Sequence, residues 1–163
     1  GGKSLAVSAR TGGVVFAHDA DPKRMSEIEV RTLRGGHDIN IILPDQIDDT
    51  AQFDSVFCDI PCSGSGAWRR SPEEKWKLTQ AKILKYQKLQ RQILIKAESL
   101  VKLGGTFSMI TCSVFTSENQ EQRDFLLKKF KNLTVMTEAQ YFPTKNNDGL
   151  YIVVFRKSSN QLN

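Results

Sequence analysis

The sequence predicts an α/β protein with a doubly wound sheet, and three observations predict it. Short apolar runs alternate along the chain with stretches that carry helix-start signals, the pattern of strands and helices laid down in alternate layers. Two distinctive segments, Asp59-Ile60-Pro61-Cys62-Ser63-Gly64-Ser65-Gly66 and Thr111-Cys112-Ser113, each follow one of those runs, so each falls where a parallel strand ends. In an open α/β sheet that carboxyl edge is where ligands bind. At 163 residues and 39% hydrophobic content the chain is long enough for a single domain around one core.

The elements follow in order. A helix is expected over Lys3–Ala9, then a strand over Val14–His18, whose apolar run Val15-Phe16-Ala17 ends at the acidic Asp19. A helix over Pro22–Leu33 and strands over Asp38–Leu43 and Asp54–Cys58 come next. Helices are expected within Pro72–Val101, where Ser71-Pro72-Glu73-Glu74 fits a capping box with proline at the first helical position. A strand over Thr106–Ile110 precedes a helix over Ser117–Phe130, opened by a second capping box, Ser117-Glu118-Asn119-Gln120. Strands near Leu133–Met136 and Leu150–Phe155 close the fold, and residues 158–163 read as a disordered tail.

Composition excludes several classes. No apolar stretch approaches the roughly 20 residues of a membrane helix, and no signal peptide opens the chain. Three cysteines is an odd number, which favours a reducing, cytoplasmic setting with thiols free to act as nucleophiles. Cys58 points into the strand interior and reads as core. The cysteines lack paired short spacing and His18 and His37 fall in no ligand pattern, so no metal is expected.

The net charge of +5 is unevenly spread. Residues 1–68 carry six Lys or Arg against ten Asp or Glu, residues 69–102 ten against three, and residues 103–163 seven against five. The middle segment therefore carries +7, and it begins just past the Cys62 loop. Such a segment suits phosphates, by an attraction that is salt-dependent and blind to sequence. The competing reading makes Lys82, Lys85, Lys88 and Arg91 the solvated face of a long helix.

The start of the chain allows two chemistries. Gly1-Gly2-Lys3-Ser4 reads as the end of a glycine-rich turn that should follow a strand, so the chain is expected to lack its first strand. Gly-Lys-Ser, with Asp59 as a magnesium carboxylate, would fit a P-loop nucleotide hydrolase. Asp19 instead fits a ribose ligand, since nucleotide-binding sheets place a carboxylate for the ribose hydroxyls at this strand end. A P-loop enzyme needs neither Asp19 nor two strand-end cysteines.

Taken together, Gly1-Gly2-Lys3-Ser4, Ala17-His18-Asp19-Ala20-Asp21-Pro22-Lys23-Arg24, the Asp59–Gly66 segment, Thr111-Cys112-Ser113-Val114 with Glu118-Asn119, and Asp148-Gly149-Leu150-Tyr151 resemble the motifs of the NOP/Sun (RsmB-like) family of RNA cytosine-5 methyltransferases. Trp68-Arg69-Arg70-Ser71-Pro72-Glu73 with Lys75-Trp76 is similar to its bacterial Sun-type branch. The resemblance implies a Rossmann-like class I methyltransferase sheet with an antiparallel last strand, forming one catalytic domain over residues 1–157. It implies S-adenosylmethionine as cofactor and rRNA or tRNA as substrate. By the same resemblance Cys112 is the nucleophile, Cys62 assists product release, and Asp59 lies beside methyl donor and base. Gly1, Gly2, Lys3, Asp19, Arg24 and Asp45 would hold the cofactor, although Pro44-Asp45 stands where the family often has Gly-Asp. Arg69, Arg70, Lys75, Lys82, Lys85 and Lys88 would meet RNA. Gly64 and Gly66 either let the backbone approach base or cofactor or simply make a turn. A catalytically silent RNA-binding remnant is the remaining alternative.

Overall fold

A computed structural model of the protein describes residues 2–36, 38–43, 46–47 and 50–159. Contacts divide the chain into two units, Gly1–Ala51 and Gln52–Asn163.

In the first unit α1 (Gly2–Thr11) leads to β1 (Val15–Ala17), and α2 (Pro22–Gly35) leads to β2 (Ile39–Ile41). The strands pair in parallel, Val15 with Ile39 and Ala17 with Ile41, as a strand–helix–strand crossover requires. Asp21 starts α2 by accepting the Lys23 N–H, and Gly36 ends it in the left-handed region at φ 64°, which glycine adopts without a Cβ clash. Ala17, Met25 and Ile28 are buried against Ile39 and Ile41. Three buried side chains and a pair of three-residue strands make a small core, of the kind that is marginal alone.

The second unit holds a four-stranded sheet in the order β3-β4-β6-β5. Its elements are β3 (Phe53–Asp59), α3 (Glu73–Lys77), α4 (Gln80–Ser99), β4 (Val101–Thr111), α5 (Gln120–Lys129), β5 (Leu133–Tyr141) and β6 (Leu150–Lys157). β3 and β4 are parallel, and β6 runs antiparallel to both neighbours, β4 and β5. The antiparallel last strand is as expected. From Phe107 to Thr111 only Ser108 and Ile110 keep any exposure, both below a tenth, so the end of β4 reads as a nearly continuous buried run. Leu94, Val101, Phe107, Met109, Leu126, Tyr151, Val153 and Phe155 have no exposure and form the core. Burying each removes roughly 1.5–3 kcal/mol of apolar hydration. Arg123 grips both oxygens of Glu138, which also accepts the Tyr151 hydroxyl, tying α5 to the β5–β6 edge.

Both expected capping boxes are absent. Ser71 offers only its backbone carbonyl, to the Glu74 N–H, and Pro72 sits at the N-cap of the five-residue α3. Thr79 is the side-chain cap in this stretch, accepting from Lys82 N at the start of α4. At the second box the chain makes a short 3-10 turn, Thr116–Glu118, and α5 starts one residue past Asn119 with no side-chain cap bond. The reason is tertiary: Glu118 and Asn119 are both fully buried and spend their polar atoms elsewhere. In the tail, Ser158 donates its N–H to the Asn132 carbonyl, and residues 160–163 lie outside the described residues. Among the described residues no helix is long and apolar enough to cross a membrane.

Candidate active site

β3 and β4 are parallel neighbours in register, with Asp59 opposite Ile110, so the chain leaves both strands at one edge of the sheet. That geometry brings Cys62 and Cys112, fifty residues apart in sequence, to a sulfur–sulfur distance of 3.4 Å. Both are partly exposed, whereas Cys58 is buried in the core as expected. Burial, with the charge of Asp59 adding to it, pushes the Cys58 thiol up to about 12. The Cys62 thiol is also pushed well above its ordinary value, first by its hydrogen bond with Cys112, then by burial and by charge on Cys112. The backbone around Gly64 and Cys112 pulls the other way. The two sulfurs share one hydrogen bond, and the upward push on its thiol makes Cys62 the one suited to keep a proton there.

A buried polar network joins the two loops. Glu118, fully buried, accepts from Ser63 N at 2.9 Å through Oε1, and from Ser63 Oγ at 2.5 Å and Ser113 Oγ at 2.6 Å through Oε2. Asn119 holds the second loop from behind: its Nδ2 donates to the Ser113 carbonyl at 2.8 Å and its Oδ1 accepts the Thr111 hydroxyl at 2.6 Å. Gln140 on β5 accepts from that same Nδ2. Ser65 Oγ accepts the Val114 N–H at 2.9 Å, and Gln90 on α4 donates to the Pro61 carbonyl at 3.0 Å.

Gly66 closes the arrangement by approach of backbone to backbone. Its N–H donates to the Cys112 carbonyl and its own carbonyl accepts from Gly149 N, both at 2.8 Å. A Cβ on Gly66 would lie 2.7 Å from Cys112 O and 2.8 Å from Gly149 Cα. Its freedom thus serves protein backbone, while Gly64, at φ 69°, makes the turn before it. Asp148, next to Gly149, pairs with Arg70 at 2.5 Å and Arg69 at 3.4 Å. Trp68 packs edge-on against Phe115.

The other expected site residues lie as follows. Asp59 ends β3 and is exposed. Lys75 sits over the ring of the exposed Trp76 at 5.8 Å, and Lys82, Lys85 and Lys88 are exposed along α4. In the first unit Gly2 and Lys3 begin α1. Asp19, just past β1, accepts the Asp21 N–H through Oδ1 and faces Arg24 Nη1 at 3.6 Å through Oδ2. Capping of α2 falls to Asp21, so Asp19 is not the helix cap. Gly1, Pro44 and Asp45 lie outside the described residues. Among the described residues no cluster of three or more His, Cys, Asp or Glu could hold a metal ion.

The family model described as 16S rRNA methyltransferase RsmB/F matches residues 1–156. The chain belongs to the RsmB/F family. It is 36% identical over 113 residues to ribosomal RNA small subunit methyltransferase B of Sodalis glossinidius (strain morsitans), covering 66% of this chain and 26% of that protein. It is 29% identical to the Homo sapiens 28S rRNA (cytosine(4447)-C(5))-methyltransferase, covering 99% of this chain and 24% of that one. The chain thus spans about a quarter of the length of these relatives. Among solved structures, that of NSun6 from Pyrococcus horikoshii with SFG superposes with a TM-score of 0.84 at 20% identity, over 98% of this chain and 46% of that one. The shared fold is the Rossmann-like class I methyltransferase arrangement.

Within this RsmB/F chain the reading from sequence did not anticipate the side chains that hold the two cysteine loops. Gln90 is hidden among the lysines of α4, and Gln140 lies in a stretch of β5 that carried no strand signal. Glu118 and Asn119 are motif residues in the sequence, where their spacing suggests a helix start; in the structure their side chains serve the two loops instead. The only local sign of their true role is that two acceptor side chains follow closely on the serine-rich segment they serve.

Proposed function

We infer that this chain is the catalytic region of an RNA methyltransferase that transfers a methyl group to carbon 5 of a cytosine in ribosomal RNA. The observation that carries this reading is the pair of thiols 3.4 Å apart at the ends of two adjacent parallel strands, in an RsmB/F chain. The names of its relatives favour ribosomal RNA over transfer RNA. The nucleotide-hydrolase alternative gains no support, since it uses neither thiol.

The residues present fit S-adenosylmethionine. Asp19 has about a third of its side chain exposed, and its two oxygens hold more lone pairs than Asp21 N and Arg24 use, so it can still accept two ribose hydroxyls. Arg24, paired to both Asp19 and Asp21, would keep that carboxylate oriented. Gly2 and Lys3, with Gly1 and Asp45, belong to the same cofactor site in this reading. When bound, S-adenosylmethionine supplies a methyl group on a sulfonium, an electrophile for a carbon made nucleophilic.

The chain's own residues do the rest. The Cys112 thiolate adds to carbon 6 of the ring, and the electron pair of the 5,6 double bond makes carbon 5 nucleophilic. Asp59, as an acid at ring nitrogen 3, offsets the negative charge on the ring. Once carbon 5 is methylated, its proton leaves to water, the pair left behind rebuilds the double bond, and the carbon–sulfur pair returns to Cys112. Cys62 donates its S–H to that departing sulfur, which lies 3.4 Å from its own in this structure. The exposed α4 lysines would hold the RNA backbone nearby in the fold, and Arg69 and Arg70 would exchange Asp148 for phosphate.

The full-length protein, given radiolabelled S-adenosylmethionine and ribosomal RNA transcripts, is expected to label a cytosine that bisulfite sequencing then reports as methylated at carbon 5. No transfer to any cytosine-bearing RNA would leave only the reading of a silent RNA-binding remnant.

A further inference from the structure

We propose that Glu118 is a positioning residue whose task is to hold the Cys62 loop against Cys112, and hence to govern release of the methylated RNA. The proposal rests on the methyltransferase reading above. Its ground is an asymmetry in how the two loops are tied. Cys112 directly follows β4, and its flanks are held without Glu118: Thr111 Oγ1 donates to Asn119 and accepts the Ser113 N–H, while Asn119 Nδ2 takes the Ser113 carbonyl. Cys62 lies past the end of β3, beyond Pro61, and the residue after it ends on Glu118 twice, through Ser63 N at 2.9 Å and Ser63 Oγ at 2.5 Å. The third bond, from Ser113 Oγ at 2.6 Å, fixes the carboxylate to the Cys112 side. Farther along the loop Gly66 N–H reaches the Cys112 carbonyl and Ser65 Oγ accepts the Val114 N–H, but next to Cys62 itself it is Glu118 that ties the Cys62 loop to the Cys112 side. With no exposure it has no water to fall back on, so losing one acceptor oxygen leaves a buried donor unpaired.

Glu118→Gln keeps the shape but removes the charge and one acceptor oxygen, so that the Ser63 and Ser113 hydroxyls must turn to accept from the new NH2 and lose the bonds they now donate. The Cys62 loop is expected to loosen while Cys112 stays in place, so bond-making survives and bond-breaking suffers. In the full-length protein, the first turnover on ribosomal RNA is expected to proceed near the wild-type rate. Steady-state turnover should fall by about a hundredfold, the scale of a misplacement of about 1 Å, and a protein–RNA adduct should accumulate on denaturing gels, as is expected also of Cys62→Ala.

A measurement without RNA or cofactor separates position from activity. Phenylarsine oxide bridges two thiols with loss of one water, and it should bridge Cys62 and Cys112 readily in the wild type and at least tenfold more slowly in Glu118→Gln. Two results overturn the proposal: bridging and release both at wild-type rates, or loss of the first turnover as well as release in a folded variant, which would make Glu118 a support of Cys112. If Glu118→Gln does not fold, Ser63→Ala decides, since it removes one of the two Ser63 ties and should show the same adduct more weakly; wild-type release in Ser63→Ala would sink the idea. A wild-type protein that forms no adduct even with 5-fluorocytosine RNA, yet bridges its thiols with the arsenical, would overturn the methyltransferase reading instead.

Discussion

The two cysteine loops leave neighbouring strands at the same edge, yet they are anchored by different means. The Cys112 loop is an extension of β4: Thr111 and Ser113 are fully buried on either side of it, and Asn119 satisfies them from α5's start. The Cys62 loop leaves β3 through Pro61 and two glycines, and depends on side chains reaching across to it: Glu118, Gln90 and Ser113. In the proposed reaction Cys112 adds to an unactivated ring, and the fixed line of attack this requires would come from the strand end and the buried network. A sulfur that must act after the bond is made needs only to reach the first sulfur. Under the proposed reaction its loop has less need to be fixed, and the upward push on its thiol suits it to keep a proton for transfer.

The largest way to break this comparison is to remove each sulfur in turn. Cys112→Ala is expected to abolish both methyl transfer and any covalent RNA adduct, whereas Cys62→Ala should still attack, release slowly and accumulate the adduct. With 5-fluorocytosine RNA, where no proton on carbon 5 can leave after methylation, wild-type protein should stall as a slower band on denaturing gels that depends on S-adenosylmethionine. The comparison is inverted if Cys112→Ala forms that band and Cys62→Ala does not.

Gly66→Ala attacks the point where the two loops touch through backbone. Its Cβ would sit at 2.7 Å from Cys112 O and 2.8 Å from Gly149 Cα, atoms that no rotamer change can move. Overpacking of this kind costs about 1–3 kcal/mol or more, which lowers Tm by roughly 2–12 °C for a chain of this size. Thermal unfolding followed by circular dichroism measures it. An unchanged Tm would mean that the loops part without loss, and that their contact is not what aligns the sulfurs.

How much of this was readable in the sequence follows the same division. The strand-end positions of both cysteines, the alternation of helix and strand, and the core placement of Cys58 were legible because each is a local pattern with a local cause: an apolar run, then small polar residues. The capping box at Ser117 was misleading for the opposite reason. Its local pattern was sound, but three donors from Ser63 and Ser113 outcompeted the helix terminus for Glu118, and nothing within a few residues of Glu118 announces them. Arg69 and Arg70 read in the sequence as part of a basic segment suited to phosphates, and nothing near them in the chain announces the Asp148 that the fold brings to them. β5 continues to Tyr141 because its partner β6 is long enough to pair with it, as Gln140 with Tyr151, not because its own residues demand it.

The first unit offers a smaller test, since its carboxylate is held by one backbone N–H and one guanidinium rather than by a buried network. Asp19→Ala is expected to weaken binding of S-adenosylmethionine by the equivalent of one charged hydrogen bond, about 1.5–3 kcal/mol, without unfolding the protein, because Asp21 remains to cap α2. Isothermal titration of the full-length protein reads the change. Unaltered affinity would move the cofactor site away from β1.

The smallest expected effect concerns the helix that carries Gln90. Lys82, Lys85 and Lys88 recur at intervals of three along α4, so they lie on one side of it and are exposed. Gln90 is buried on the same helix and bonds to Pro61, which links the lysine-bearing helix to the Cys62 loop. Replacing the three lysines with Gln should leave the sulfurs in place and act on RNA affinity alone. Each lost contact with a single strand should reduce the slope of log affinity against log salt by about 0.7, so three contacts amount to roughly 2. Filter binding of the full-length protein to ribosomal RNA fragments across a salt series measures the slope. The adduct yield at saturating RNA should stay at the wild-type level, because chemistry at Cys112 does not use these charges. An unchanged slope returns the lysines to the role of a solvated helix face; a changed adduct yield at saturation would show instead that α4 transmits RNA binding to the Cys62 loop through Gln90.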